Sequence, residues 1–136
     1  TISYLRARLS NKISLEFEHP KDEIIVFLNN QLFSWSLENI IKNSIDSIKD
    51  SGKVKISIIE DNEYLKIYIS DNGIGVKQSL KNKIFNPGVT TKERGWGLGL
   101  SLSKRIIEEY HKGEIKLIES IVGQGTKMLI KLKAVK

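Results

Sequence analysis

The sequence predicts a two-layer α/β sandwich, a single sheet with helices laid over one of its faces. Three observations lead there: strand-length segments of alternating polarity, longer segments whose apolar residues recur every three to four positions, and glycine clusters where these segments end. At 136 residues and 40% hydrophobic, the chain is long enough for one core and too short for two. Residues 1–136 are therefore expected to form one domain, and the opening on Thr1 rather than Met suggests a fragment of a longer chain.

In chain order, a short amphipathic helix is expected near 2–9, then strands near 13–18 and 24–28. Leu37, Ile40, Ile41, Ile45 and Ile48 form the apolar stripe of a long helix over about 32–49, broken by Asp50-Ser51-Gly52. Strands over 54–60 and 64–70 alternate and are joined by Asp61-Asn62 as a tight hairpin turn. Residues 71–96 make a long connection with a short helix over 78–85, and loops of this length are usually functional. A second helix over 98–111 ends at Lys112-Gly113, with Gly113 in the C-cap role. Strands over 114–119 and 126–132 complete the sheet.

Composition removes several function classes. With no cysteine there are neither disulfides nor thiolate metal sites. No apolar run approaches the ~20 residues of a membrane-spanning helix, and no signal peptide is expected within these residues. The net charge of +6 is spread over scattered lysines, without the Arg-rich run or aromatic-basic interleaving of a nucleic-acid binder, so no nucleic-acid partner is expected.

The chemistry concentrates in two glycine clusters and one helix face. Asp71-Asn72-Gly73-Ile74-Gly75 follows a strand, which places the Asp71 carboxylate at a strand end where it can read an amino group. Gly73 and Gly75 permit positive φ and close approach of backbone to a flat ligand. Gly95-Trp96-Gly97-Leu98-Gly99-Leu100 runs into the second helix, whose first N–H groups and dipole suit an anion. Neither cluster carries the Gly-Lys-Ser/Thr ending of a phosphate loop. Asn39, Asn43 and Asp46 recur along one face of the long helix, although Asp46 suits an exposed position equally well.

On these motifs the chain resembles the ATP-binding catalytic domain of sensor histidine kinases, in the family shared with gyrase B, Hsp90 and MutL. Asn39 and Asn43 match the N box, Asp71 to Gly75 the G1 box, Phe85 the F box, Gly95 to Leu100 the G2 box, and Gly123 to Thr126 the G3 box. The five boxes come in the family's order and span about two-thirds of the chain.

The resemblance implies the Bergerat ATP-binding fold, with a mixed sheet, and ATP and Mg2+ as ligands. Asn43 becomes the Mg2+ ligand, which suits an octahedral ion that keeps several waters and needs only one or two protein oxygens besides phosphates. Asn39 stands where the ATP-hydrolysing members carry a general-base Glu, and an amide cannot take a proton from water, so transfer is favoured over hydrolysis. Glu38, one residue earlier and roughly 100° round the helix, reads as a surface residue. The segment from Phe85 to Gly97 resembles the ATP lid, with Lys92 and Arg94 as charge-assisted donors to the phosphates. Trp96 departs from the small residue usual between these glycines.

Asn39, Asn43 and Lys92 are thus the expected catalytic residues. Asp46, Asp71, Gly73, Ile74, Gly75, Thr91, Arg94, Gly95, Gly97, Leu98, Gly99, Leu100 and Thr126 join them in contacting the nucleotide. Neither His19 nor His111 has the context of a phosphoacceptor, so both are expected to be structural or exposed. The substrate histidine is expected on the parent kinase's own dimerisation domain, outside this chain, with a response regulator downstream and a cytoplasmic setting even where the parent is membrane-anchored. The same boxes leave open an ATPase of the gyrase or MutL type, an anti-sigma-factor serine kinase, or a non-catalytic ATP-binding switch.

Overall fold

The computed structural model describes residues 13–18, 29–48, 51–86 and 99–134. The helix expected near 2–9 and the strand near 24–28 lie outside them. The described elements are β1 (Ile13–Glu18), α1 (Asn30–Asp46), β2 (Gly52–Asp61), β3 (Tyr64–Asp71), α2 (Gly99–Arg105), a π-helical turn (Ile106–Tyr110), β4 (Glu114–Ile121) and β5 (Gly125–Lys133). The five strands form one sheet in the order β1-β2-β3-β5-β4, with β1 parallel to β2 and every other pair antiparallel. The expected mixed sheet with helices on one face is the fold observed.

Alternation along the strands builds the core. Val54 and Ile56 of β2, Leu65, Ile67 and Ile69 of β3, Met128, Ile130 and Leu132 of β5, and Ile115 of β4 are buried against Ile40, Ile41, Ile48 and Ile107. Each such side chain contributes roughly 1.5–3 kcal/mol relative to exposure. Their neighbours in sequence carry charge: Lys53 pairs with Glu16 at 2.8 Å and Lys55 with Glu18 at 3.0 Å.

The helix stripe is wider than expected, because Phe33, Ser36 and Ser44 are buried with it. The small serines let α2 approach α1, and Ser103 Oγ donates to the Ser36 carbonyl at 3.4 Å in the buried seam. Asn29 caps α1 by accepting the Leu32 N–H at 3.0 Å, so the helix begins at Asn30, and it closes with Ser47 as C-cap before reaching residue 49.

Three local expectations are corrected. The hairpin loop is Asn62-Glu63, one residue later than expected, since Asp61 stays in the ladder opposite Tyr64 and Asn62 takes φ 58°. Asn tolerates that left-handed conformation better than most residues. The second helix is α-helical only to Arg105 and then widens into the π-turn, where the His111 N–H reaches the Ile106 carbonyl at 3.2 Å. Its left-handed terminal residue is Lys112, at φ 54°, rather than Gly113. Gly113 is required for space instead, because a Cβ there would lie 2.6 Å from the Lys131 carbonyl. The short helix expected over 78–85 is a single 3-10 turn, Gln78–Leu80, with turns continuing to Phe85.

His111 is structural, as expected. Its Nε2 accepts the Asn29 N–H at 2.8 Å, and its Nδ1 faces the Ile106 carbonyl at 2.9 Å, so Nδ1 carries the proton. The ring, edge-on to Phe33 at 5.6 Å, clips the start of α1 to the end of the second helix. His19 lies outside the described residues.

The register of β4 slips between Leu117 and Glu119, leaving Ile118 as an extra residue. This bulge reverses the alternation beyond it. Ser120 is 2% exposed and Ile121 43%, the opposite of what an unbroken strand starting from buried Ile115 would give.

Candidate functional site

Asp71 is the last residue of β3, paired in register with Val54 on one side and Thr126 on the other. It shares the inward face with Leu65, Ile67 and Ile69, so its carboxylate points toward the helices and is partly buried. Oδ1 accepts the Gly73 N–H at 2.9 Å and the Ser47 hydroxyl at 3.2 Å. Burial pushes the carboxyl above its ordinary value of 3.8. The Gly73 N–H, the Ser44 and Ser47 hydroxyls and the Thr126 N–H pull in the other direction.

Glycines let three segments close around this carboxylate. A side chain at Gly73 would overlap Ser47 Oγ, and the following Ile74 N–H donates to the Ser47 carbonyl at 3.0 Å. Gly75, at φ 75°, leaves no room for a Cβ against the Ile121 carbonyl, and Gly125, at φ 131°, leaves none against the Asp71 carbonyl. The Gly123 N–H donates to the Ile74 carbonyl at 2.9 Å. The bulge in β4 supplies the last link: inward-turned Ser120 Oγ accepts the Val76 N–H at 2.7 Å and lies 2.8 Å from Thr126 Oγ1. Gly73, Ile74, Gly75 and Thr126, expected as ligand contacts, are therefore brought together around Asp71.

The second half of the site lies along α1. Asn39 and Asn43 are both half-buried. Asn39 Oδ1 lies 2.9 Å from where a Gly99 side chain would begin, so the start of α2 abuts this amide and only glycine leaves the space open. Leu100 packs against the core from the same turn. Asp46 is exposed and Glu38 half-buried. Thr91, Lys92, Arg94, Gly95, Gly97 and Leu98 lie outside the described residues, as does Trp96.

Among the described residues no cluster of three or more His, Cys, Asp or Glu could hold a metal ion. An amide-bearing helix face suits a hard cation that arrives with phosphate oxygens as its main ligands, and Mg2+ is such an ion. No described helix is long and apolar enough to cross a membrane.

Ser44, Ser47 and Ser120 carry the site's geometry, and sequence reasoning missed all three. Ser44 and Ser47 follow Asn43 at one and four residues, a spacing that could have flagged them as facing the end of β3. Ser120 gave no signal, since only the bulge turns it inward.

The sequence pattern described as "Histidine kinase-, DNA gyrase B-, and HSP90-like ATPase" matches residues 31–136. Sporulation kinase D of Bacillus subtilis is 43% identical over 132 residues, covering 96% of this chain and 26% of that protein. Sporulation kinase E of the same organism is 43% identical over 122 residues, covering 89% of this chain and 16% of that protein. The chain thus spans about a quarter or less of the length of these curated relatives. Among solved structures, the catalytic domain of histidine kinase ThkA superposes with a TM-score of 0.80 at 27% identity, covering 97% of this chain and 85% of that one.

Proposed function

The chain belongs to the family of histidine kinase-, DNA gyrase B-, and HSP90-like ATPases, as the catalytic ATP-binding domain of a sensor histidine kinase, and on that premise we propose the reaction and the residues that perform it. The domain binds Mg-ATP and transfers the γ-phosphate to a histidine on the parent kinase's dimerisation domain, in the cytoplasm, for relay to a response regulator. The observation that carries the residue roles is the setting of Asp71: one carboxylate, fixed at Oδ1 by an N–H and a hydroxyl, inside a cradle where glycines bring backbone close.

An ionised Asp71 accepts from the adenine amino group, whereas guanine presents an oxygen at that position and is repelled. The backbone of Gly73, Ile74 and Gly75 and the Thr126 hydroxyl bound the base. Asn43 would hold Mg2+ through its amide oxygen, and the ion, when bound, neutralises charge on the phosphates. Asn39, against the start of α2, orients the phosphate end, while Thr91, Lys92, Arg94, Gly95, Gly97, Leu98, Gly99 and Leu100 complete its lining. Asp46, exposed beyond Asn43, contributes at the rim. The domain's contribution is positioning and electrostatic stabilisation. An amide at Asn39 has no basicity with which to activate water, so the phosphoryl group passes to histidine.

Incubated with Mg-ATP and a separate dimerisation domain, this domain should label that domain on histidine, giving an acid-labile, base-stable product. Alone it should turn over ATP very slowly, and Asn43→Ala should abolish transfer. Robust hydrolysis without an acceptor would overturn the reading and place a water-activating base, most directly Glu38, in the site.

A further inference from the structure

Ser47 belongs to none of the sequence boxes, yet several parts of the site converge on it. Its Oγ lies 3.2 Å from Asp71 Oδ1 and 2.7 Å from the Ser44 carbonyl. Its own carbonyl receives the Ile74 N–H at 3.0 Å. The absence of a side chain at Gly73 is what leaves the Ser47 hydroxyl its place. A hydroxyl has one proton. The Ser44 carbonyl, at the shorter distance, and an ionised Asp71, through a charge-assisted bond, compete for it.

We propose that Ser47 is a positioning residue for nucleotide recognition: its hydroxyl, presented from the cap of α1, helps keep the Asp71 carboxylate ionised, and so sets the lowest pH at which the domain holds ATP. The inference rests on Asp71 reading the adenine amino group, because only the ionised form accepts there. Burial works against ionisation, and the Gly73 N–H, the Ser44 and Ser47 hydroxyls and the Thr126 N–H work for it.

The groups around Asp71 make hydroxyls the natural control. On α1, Asp46 is exposed beyond Ser44; on β2, Lys53 is drawn to Glu16; on β5, Lys127 sits over the Tyr68 ring at 4.8 Å; and on β4, the nearest inward group is the Ser120 hydroxyl. Among the described residues, the influences on the Asp71 carboxyl are burial and hydrogen bonds, with no ion pair.

Titration calorimetry with Mg-ATP, repeated from about pH 8 down to about pH 4, tests this on the wild type, Ser47→Ala and Asp71→Asn. Ser47→Ala should bind nearly as well as wild type at the alkaline end and fall off earlier on the acid side. Its acid limb should move up by about one pH unit, a roughly tenfold weakening where the wild type still holds. Asp71→Asn should be weak throughout, with no acid limb of that origin. In parallel, the Asp71 carboxyl carbon followed by NMR in the unliganded protein should titrate higher in Ser47→Ala, and Ser47→Cys, which keeps a side chain of similar shape with a weaker donor, should fall between.

An Asp71 titration unmoved by loss of the hydroxyl, or an affinity loss equal at every pH, would overturn the proposal and leave Ser47 a packing residue. Unchanged affinity in Asp71→Asn would instead overturn the reading of Asp71, while the NMR titration would still decide the role of Ser47.

Discussion

At the scale of single residues, Asp71 trades stability for recognition. Burial holds its folded-state carboxyl above the ordinary value of 3.8, so between the two values the native state binds more protons than the unfolded one. The stability this confers is present below the ordinary value and is lost as pH rises through the folded one. At neutral pH the ionised carboxylate is therefore a burden on the unliganded fold. Asp71→Asn should raise the melting temperature of the unliganded domain near neutral pH, with the gain closing toward about pH 4. The same change should weaken ATP binding by roughly ten- to a hundredfold, the ~1.5–3 kcal/mol of a hydrogen bond to a charged group. Calorimetry with ATP and GTP reads the second effect, and equal affinity for the two nucleotides in the wild type would remove adenine recognition from this residue. Asp71, Asn39 and Asn43 were legible in the sequence because each sits in a short motif. Ser44 and Ser47 were not read, because their spacing from Asn43 marks a shared face but not the strand end that face meets.

At the scale of elements, the glycines of the final hairpin do different work despite their spacing of two. Gly125, at φ 131°, has the Asp71 carbonyl where a Cβ would go, whereas Gly123, at φ 82°, has nothing within 4 Å of that position. Gly125→Ala combines backbone strain with overlap and should cost roughly 2–5 kcal/mol. Gly123→Ala should cost only the ~1–2 kcal/mol of a left-handed alanine. Urea midpoints would distinguish them, and similar losses in both would contradict the packing described. Strand and helix positions were readable from periodicity, and β1 falls on its expected span of 13–18. The ends were less so, because they depend on partners distant in sequence. The widening after Arg105 and the left-handed Lys112 flank His111, which meets Asn29 across 82 positions.

At the scale of the whole molecule, one sheet joins both halves of the site: β3 ends at the carboxylate, β5 begins beside it, and α1 runs from the seam with α2 to the Ser47 cap. The slip in β4 that turns Ser120 inward has a second effect, on what the domain does in a crowded solution. Among the described residues β4 is the last strand in the sheet order, and its outer part carries exposed Ile118 and Ile121, with exposed Val122 just beyond it. A straight strand with that composition would template edge-to-edge pairing with another chain and, through it, fibril growth. The extra residue breaks the regular spacing of its outward N–H and C=O groups, so an incoming strand cannot stay in step past Leu117. Deleting Ile118 should straighten the edge while leaving Ser120 opposite Thr126 and facing inward, and make the protein scatter light on standing; a variant that stays dispersed would show that the bulge does not guard this edge.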